Sequence, residues 1–137
     1  MPNQTPAQAI KAELKIAFPN IKFSVRYQTF AGGDAVNVSY LNGVPEAEVE
    51  KITNKYQMGH FNGMEDIYEY SNNIEGLNQA KYISVGRNID DSIKLEMKQK
   101  IAKSYGIEDM ENEQEWMKKT NRWSDQVVYQ ELKNISL

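Results

Sequence analysis

The spacing of apolar residues near the start of the chain predicts an amphipathic helix. Ile10, Leu14 and Phe18 recur every four residues, which places them on one face of an α-helix. Residues 5–8 (TPAQ) form a capping-box pattern with proline at the first helical position, where its missing N–H group costs nothing. Pro19 ends the pattern. The chain therefore opens with a capped helix.

The period of the pattern then changes from four residues to two. Apolar residues occupy every second position over residues 21–29 and again over residues 36–40, as in strands with one buried face. Residues 31–34 (AGGD) have the composition of a turn. The two strands are therefore predicted to form a β-hairpin.

The rest of the chain predicts two further strands and more helices. A second helix is expected from about Pro45 to Gly59, an ordered loop over residues 60–66, and strands over residues 67–70 and 81–87. A third helix, capped by Asp90 or Asp91, is expected to end at Gly106. A fourth helical segment would begin at the acidic residues 108–115, and a short last helix would follow.

These elements predict the order α-β-β-α-β-β-α-α. The fold class would be α+β, with a mainly antiparallel four-stranded sheet and helices packed on it. A length of 137 residues fits a single domain, and residues 89–137 would form its helical C-terminal part.

Composition then excludes several classes of function. The chain has no cysteine, which excludes disulfides, thiol catalysis and zinc bound by thiolates, and fits a reducing cytoplasm. Its start has neither the basic region nor the apolar core of a signal peptide, and no apolar run reaches the ~20 residues of a membrane span. A net charge of −3 is unusual for a protein that binds nucleic acid without sequence preference, because such binding depends on basic residues that neutralise phosphates.

Three stretches resemble a large polyvalent protein-associated domain, a type of domain found in phages and conjugative elements. They are residues 11–26, with KAEL, FP and KFSVR, residues 56–70, with YQMGHFNGMED and YEY, and residues 81–85, KYISV. The resemblance covers about residues 7–87. It implies a mobile-element origin and a place of action inside a bacterial cell, but it implies no catalytic residues.

His60 is the single histidine of the chain, so any histidine-based catalysis or metal binding would depend on it. Asp66 or Glu65 would be its partner. Glycines at positions 59 and 63 explain the surrounding loop through backbone needs alone. We therefore expect His60 to brace this loop, and we expect no catalytic residue, metal or cofactor.

Two surfaces are candidates for binding a partner. In the C-terminal part, two tryptophans seven residues apart and several alternating charges suggest one helical face that docks on a protein. Its members are Glu111, Glu115, Trp116, Lys119, Arg122 and Trp123. The alternative is a basic sheet face that binds nucleic acid through Lys22, Arg26, Lys81 and Arg87, with stacking aromatics drawn from Tyr27, Phe30, Tyr40, Tyr68, Tyr70 and Tyr82. Tyr27 and Tyr40, however, fall on the apolar faces of their strands, so alternation predicts them in the core.

The sequence thus favours a non-enzymatic accessory protein of a phage or mobile element. We expect it to bind a host protein, with inhibition of a restriction or CRISPR effector as one form of this role. Nucleic-acid binding is the alternative, and an enzyme centred on His60 is the third hypothesis.

Overall fold

The computed structural model describes residues 4–137, which form two compact units, residues 4–88 and 89–137. The first unit contains α1 (Pro6–Ala17), β1 (Ser24–Phe30), β2 (Gly33–Leu41), α2 (Glu46–Thr53), a 3-10 turn (Asn54–Tyr56), β3 (His60–Asn62), β4 (Ile67–Glu69) and β5 (Tyr82–Asn88). The second contains α3 (Asp91–Tyr105), α4 (Glu113–Thr120) and α5 (Ser124–Leu132). That the whole chain is one domain stays a prediction.

The first helix begins as its sequence predicts. The Thr5 hydroxyl accepts a hydrogen bond from the Gln8 amide at 3.2 Å, and the Gln8 side chain accepts one from the Thr5 amide at 2.9 Å. These reciprocal bonds satisfy two of the amides that a helix start leaves without partners. The buried face of α1 then presents Ala7, Ile10 and Leu14 to the core.

The main sheet has three strands in the order β1-β2-β5. The predicted hairpin is confirmed: β1 and β2 pair antiparallel through a two-residue turn, with Phe30 opposite Gly33. Strand β5, however, pairs parallel to β2, and β3 and β4 form a separate two-stranded ribbon. The α+β class is confirmed, whereas the single four-stranded antiparallel sheet is wrong, because residues 67–69 pair with residues 60–62 of the predicted loop.

Helices α1 and α2 cover one face of this sheet. Val36, Val38 and Tyr40 of β2 point to that face and are at most 3% exposed, and Val49 of α2 is fully buried with them. Burial of each such side chain stabilises the folded state by about 1.5–3 kcal/mol relative to leaving it exposed to water. The opposite face of the sheet therefore carries the alternate residues of each strand.

The second helix ends earlier than predicted, at Thr53, and the 3-10 turn follows it. Gly59 instead allows close approach between two segments. A Cβ atom there would lie 1.8 Å from the carbonyl oxygen of Glu69, a distance that no side chain tolerates. The glycine is thus needed where the chain packs against β4, not as a helix stop.

A buried amide holds the long connection between β4 and β5. The Gln79 side chain donates to the carbonyl oxygens of Lys55 and Asn72, both at 2.7 Å, and accepts from the Ile74 amide at 2.8 Å. Asn72 in turn donates to the Gln57 carbonyl at 3.0 Å. Because buried polar groups are costly without partners, these bonds give the connection one defined path.

The second unit packs three helices around the fully buried Trp116. Gly106, with φ of 71°, ends α3 in the left-handed conformation, as its position predicts. Helix α4 begins at Glu113, later than predicted, with Asn112 as its cap. Within residues 4–137, no helix combines the length and apolar character needed to cross a bilayer.

Candidate functional site

The two tryptophans of the C-terminal candidate site do not share a helical face. Helix α4 ends at Thr120, Asn121 follows in the left-handed conformation with φ of 61°, and Trp123 stands at the start of the next helix. Trp116 is fully buried, and its indole N–H donates to the Met110 carbonyl at 2.9 Å. The predicted common face is therefore wrong, and Trp116 belongs to the core.

The remaining residues of that candidate site mostly form hydrogen bonds with other residues of the second unit. The Glu115 carboxylate accepts from the Glu108 amide at 3.3 Å, and the Arg122 amide donates to the Thr120 hydroxyl at 3.1 Å. Lys119 reaches the Gly106 carbonyl at 3.5 Å, and the Glu111 amide donates to Asp109. Trp123 is 48% exposed, so it is the one large aromatic of this set that a partner could reach.

The four basic residues of the alternative site do not form one sheet face. Lys22 precedes β1, and Arg26 lies within it and is exposed. Arg87 pairs in register with the buried Tyr40, so it points to the helix-covered side of the sheet. Its guanidinium donates to the carbonyl of Gly43 at 2.7 Å. Lys81 precedes β5, and its ammonium donates to the Gly32 carbonyl at 2.8 Å. Of the four, Arg26 is thus the one strand residue on the uncovered side.

His60 lies at the start of β3 rather than in a loop, and its partners differ from the expected ones. Its Nε2 atom is 3.2 Å from a carboxylate oxygen of Glu69, and its Nδ1 atom is 3.0 Å from the Ser71 hydroxyl. Asp66 instead takes a positive φ in the β3–β4 turn. The His60 side chain is 57% exposed, so it stabilises the ribbon through these two contacts at a solvent-exposed position.

The uncovered side of the main sheet is a regular, exposed surface of the first unit. We call it the open face. Besides Gly33 at the hairpin turn, strand register assigns twelve residues to it: Ser24, Arg26, Gln28, Phe30, Ala35, Asn37, Ser39, Leu41, Tyr82, Ser84, Gly86 and Asn88. All are exposed except Ala35 and Ser39, which are half-buried. Arg26 is the one charged residue of this set, so the face is almost neutral.

Four aromatic rings gather at one end of the open face, and we call them the aromatic corner. Phe30 and Tyr82 stack with ring centroids 6.2 Å apart. Tyr82 contacts Tyr68 edge-on at 5.4 Å, and Tyr68 contacts Tyr70 at 4.8 Å. Phe30, Tyr70 and Tyr82 are 44%, 58% and 36% exposed. Contiguous exposed aromatics of this kind are typical of binding surfaces.

Hydrogen bonds from three strands hold the aromatic corner in place. Asp34 accepts from the Tyr27 hydroxyl at 2.6 Å and from the Lys81 amide at 2.8 Å, so it links β1, β2 and the start of β5. The bond to Asp34 raises the pKa of Tyr27. The Lys81 ammonium donates to the Gly32 carbonyl at 2.8 Å and lies 4.8 Å from the Tyr68 ring centroid. The corner is therefore preorganised.

The two edges of the main sheet differ in their backbone bonding. On β5, the Ile83 amide donates to the Gln57 side chain at 2.8 Å and the Arg87 amide donates to Glu46 at 3.2 Å. On β1, by contrast, no residue between positions 4 and 137 bonds to the outer edge. An edge strand without such protection can pair with a further strand.

Six aromatics were named from sequence for stacking, and the structure brings four of them together in the aromatic corner. Tyr40 is buried at 3% exposure. Tyr27 follows the covered side but is 37% exposed, so its predicted place in the core is wrong. The roles of Asp34 and Gln57 could not be predicted from sequence, because each bonds to a backbone amide at the distant segment 81–83. No group of three or more candidate metal ligands occurs among residues 4–137.

Comparison with known proteins identifies the family. The family model described as large polyvalent protein associated domain 29 matches residues 1–117, a longer span than the resemblance noted from sequence motifs. No curated protein and no solved structure matches the chain significantly. The chain therefore belongs to the family of large polyvalent protein associated domain 29, which is associated with the polyvalent proteins of phages or other mobile elements.

Proposed function

We propose that this protein is a non-enzymatic binding module of a mobile element, and that it recognises a partner protein through the open face and its aromatic corner. The observation that carries the proposal is the group of stacked, exposed rings that Asp34 and Lys81 hold in place on an almost neutral surface. Aromatic residues and arginine dominate the binding energy of protein interfaces, and a preformed surface loses little entropy on binding.

The charge of this surface favours a protein over a nucleic acid. Arg26 is the one cation among the twelve open-face residues, and the Lys81 ammonium is engaged by a carbonyl and two tyrosine rings. Nucleic-acid affinity depends mainly on phosphate neutralisation by several lysines or arginines. A protein partner instead requires apolar and aromatic area with a polar surround, which the face provides.

We further propose that the partner is a protein of the bacterial host. The family's association with mobile elements supports this choice, since such elements act on the cell that they enter. Inhibition of a restriction or CRISPR effector is the specific form of this role that we put forward for testing.

Affinity capture from nuclease-treated bacterial lysate tests the proposal. Phe30→Ala and Arg26→Glu each remove one element of the open face, whereas Ile16→Ala removes an exposed apolar side chain from α1, outside the open face, and serves as the control. We expect wild type and Ile16→Ala to capture the same protein. Binding of that purified protein should weaken at least tenfold in the two face variants, as for interface hot spots.

Two results would refute the proposal. One is capture that the face variants retain in full while their thermal melting matches wild type. The other is recovery that disappears with nuclease treatment, which would favour the alternative.

The alternative function, binding of single-stranded nucleic acid, has one observation in its favour. Arg26, Phe30 and Tyr82 share one sheet face, and single-strand readers stack bases on such rings. Binding to an oligonucleotide that weakens steeply with salt and is lost in Phe30→Ala would favour it. Because the face has a single cation, we expect a shallow salt dependence instead.

A further inference from the structure

A pocket of about 350 Å³ lies beside the C-terminal half of α1. Two residues of the helix, Lys11 and Lys15, and the segment 19–23 line it. Lys22 of that segment gives the pocket a third lysine, and Pro19 and Ile21 give it apolar surface. None of the lining residues is acidic, and none belongs to the open face.

The positive charge of this pocket is not neutralised within the part of the chain that the structure describes. Lys11, Lys15 and Lys22 are exposed, and none forms a hydrogen bond or ion pair with a residue of the range 4–137. The one acidic residue of α1, Glu13, is bound instead by the Lys55 ammonium at 2.6 Å. The carboxylate nearest in sequence is thus engaged by a cation outside the pocket.

Apart from Arg26 on the open face, the other basic residues of the first unit have partners. Lys51 pairs with Glu48 at 3.0 Å, and Lys81 donates to the Gly32 carbonyl. The Arg87 guanidinium donates to backbone carbonyls. A cluster of three unpaired lysines around one concave site is therefore a local feature rather than the general state of this surface.

We propose that this pocket binds a small phosphate-bearing ligand. The three ammonium groups would surround the phosphate, and Pro19 and Ile21 would contact the apolar part of the ligand. A phosphate carries up to two negative charges and several acceptor oxygens, which match a set of lysines better than a single carboxylate does. The volume lies within the range of known ligand sites, ~300–1,000 Å³. The site is independent of the proposed function of the open face.

Isothermal titration calorimetry of the full chain with AMP, inorganic phosphate and adenosine tests this inference. The variant K11Q/K15Q/K22Q removes the three charges, and K100Q/K103Q/K133Q removes three exposed charges from the second unit as the matched control. Circular dichroism verifies that both variants fold. We expect AMP to bind wild type and the control equally and the pocket variant at least about tenfold more weakly, since each charge-assisted bond contributes to affinity.

The other ligands identify which chemistry is recognised. Adenosine should not bind, because it has no phosphate. Equal affinity for inorganic phosphate and AMP assigns recognition to the phosphate alone, whereas tighter AMP binding assigns a share to the apolar wall. Absence of AMP and phosphate binding, or equal binding by both triple variants, would overturn the proposal. So would affinity for a single-stranded oligonucleotide that exceeds that for AMP and rises with length, since the site would then bind a nucleic-acid backbone.

Discussion

Replacing Trp116 by phenylalanine separates a core role of this residue from a role in partner binding. The side chain is fully buried, and its indole N–H donates to the Met110 carbonyl. Phenylalanine keeps one ring but leaves a cavity and removes the hydrogen bond. Trp123 undergoes the same chemical change in a position that is 48% exposed, so Trp123→Phe is the matched control.

The expected loss of stability differs between the two variants. Trp116→Phe should lower the free energy of unfolding by about 2–3 kcal/mol, from lost volume and from a buried carbonyl without its donor. Domain stabilities are about 5–15 kcal/mol, so this is a large fraction of the total. Trp123→Phe should cost below about 0.5 kcal/mol, as is usual for exposed positions.

Urea denaturation followed by tryptophan fluorescence measures both effects, because both tryptophans lie in the second unit. Each variant keeps one tryptophan, so the emission of the variant that keeps Trp116 should be less accessible to acrylamide quenching. Equal unfolding midpoints for the two variants, or equal quenching, would refute the buried position of Trp116. If Trp116→Phe lost partner binding without losing stability, Trp116 would instead be a residue of a partner interface.

Two further predictions concern the backbone and the pH dependence of stability. Gly59→Ala should destabilise the protein by at least about 2 kcal/mol, because its Cβ would collide with the Glu69 carbonyl; Gly63→Ala, with no atom near its Cβ, should change the melting temperature little. The Ser124 hydroxyl donates to Glu113 at 2.5 Å and, with the Ser124 amide, lowers the pKa of Glu113 below its ordinary value of 4.5. The stabilisation is therefore fully present above pH 4.5 and is lost as the pH falls through the lowered pKa. The stability difference between wild type and Ser124→Ala, measured by urea denaturation, should shrink over that acidic range, whereas a constant difference would contradict the assignment.

Local features of the fold were predictable because each rests on a few neighbouring residues. The capping box at Thr5 and Gln8, the hairpin turn at residues 31–32 and the left-handed end of α3 at Gly106 all follow from side-chain chemistry within one or two turns of chain. Alternation also assigned the faces of β1 and β2 correctly, although it overestimated the burial of Tyr27.

The pairing of distant strands was not predictable in the same way. A period of two residues shows which face of a strand is buried, but it does not identify the neighbouring strand. Strand β5 could therefore be expected beside the hairpin without its parallel direction being known, and the three-residue strands β3 and β4 are too short for a clear pattern. The spacing of Trp116 and Trp123 was misleading because Asn121, a residue that tolerates positive φ, ends the helix between them.

The candidate site was predictable only in part. Phe30 lies two and four residues after Gln28 and Arg26, so the alternation of β1 places it on the same open face. Its stacking partner Tyr82 lies more than fifty residues further along the chain, and Asp34 fixes the corner through bonds to Tyr27 and Lys81. The contacts of Tyr82 and Lys81 depend on the parallel pairing of β5 with β2.

The different protection of the two sheet edges limits how copies of the protein can assemble by strand addition. A fibre grows by edge-to-edge contacts only if every subunit offers an acceptor edge on each side. Side chains of Gln57 and Glu46 occupy amides of β5, and β1 has no bond at its outer edge from any residue of the described chain. Two copies joined through β1 would therefore leave only β5 edges, on which two amides are already bonded, so a dimer would be favoured over continued growth.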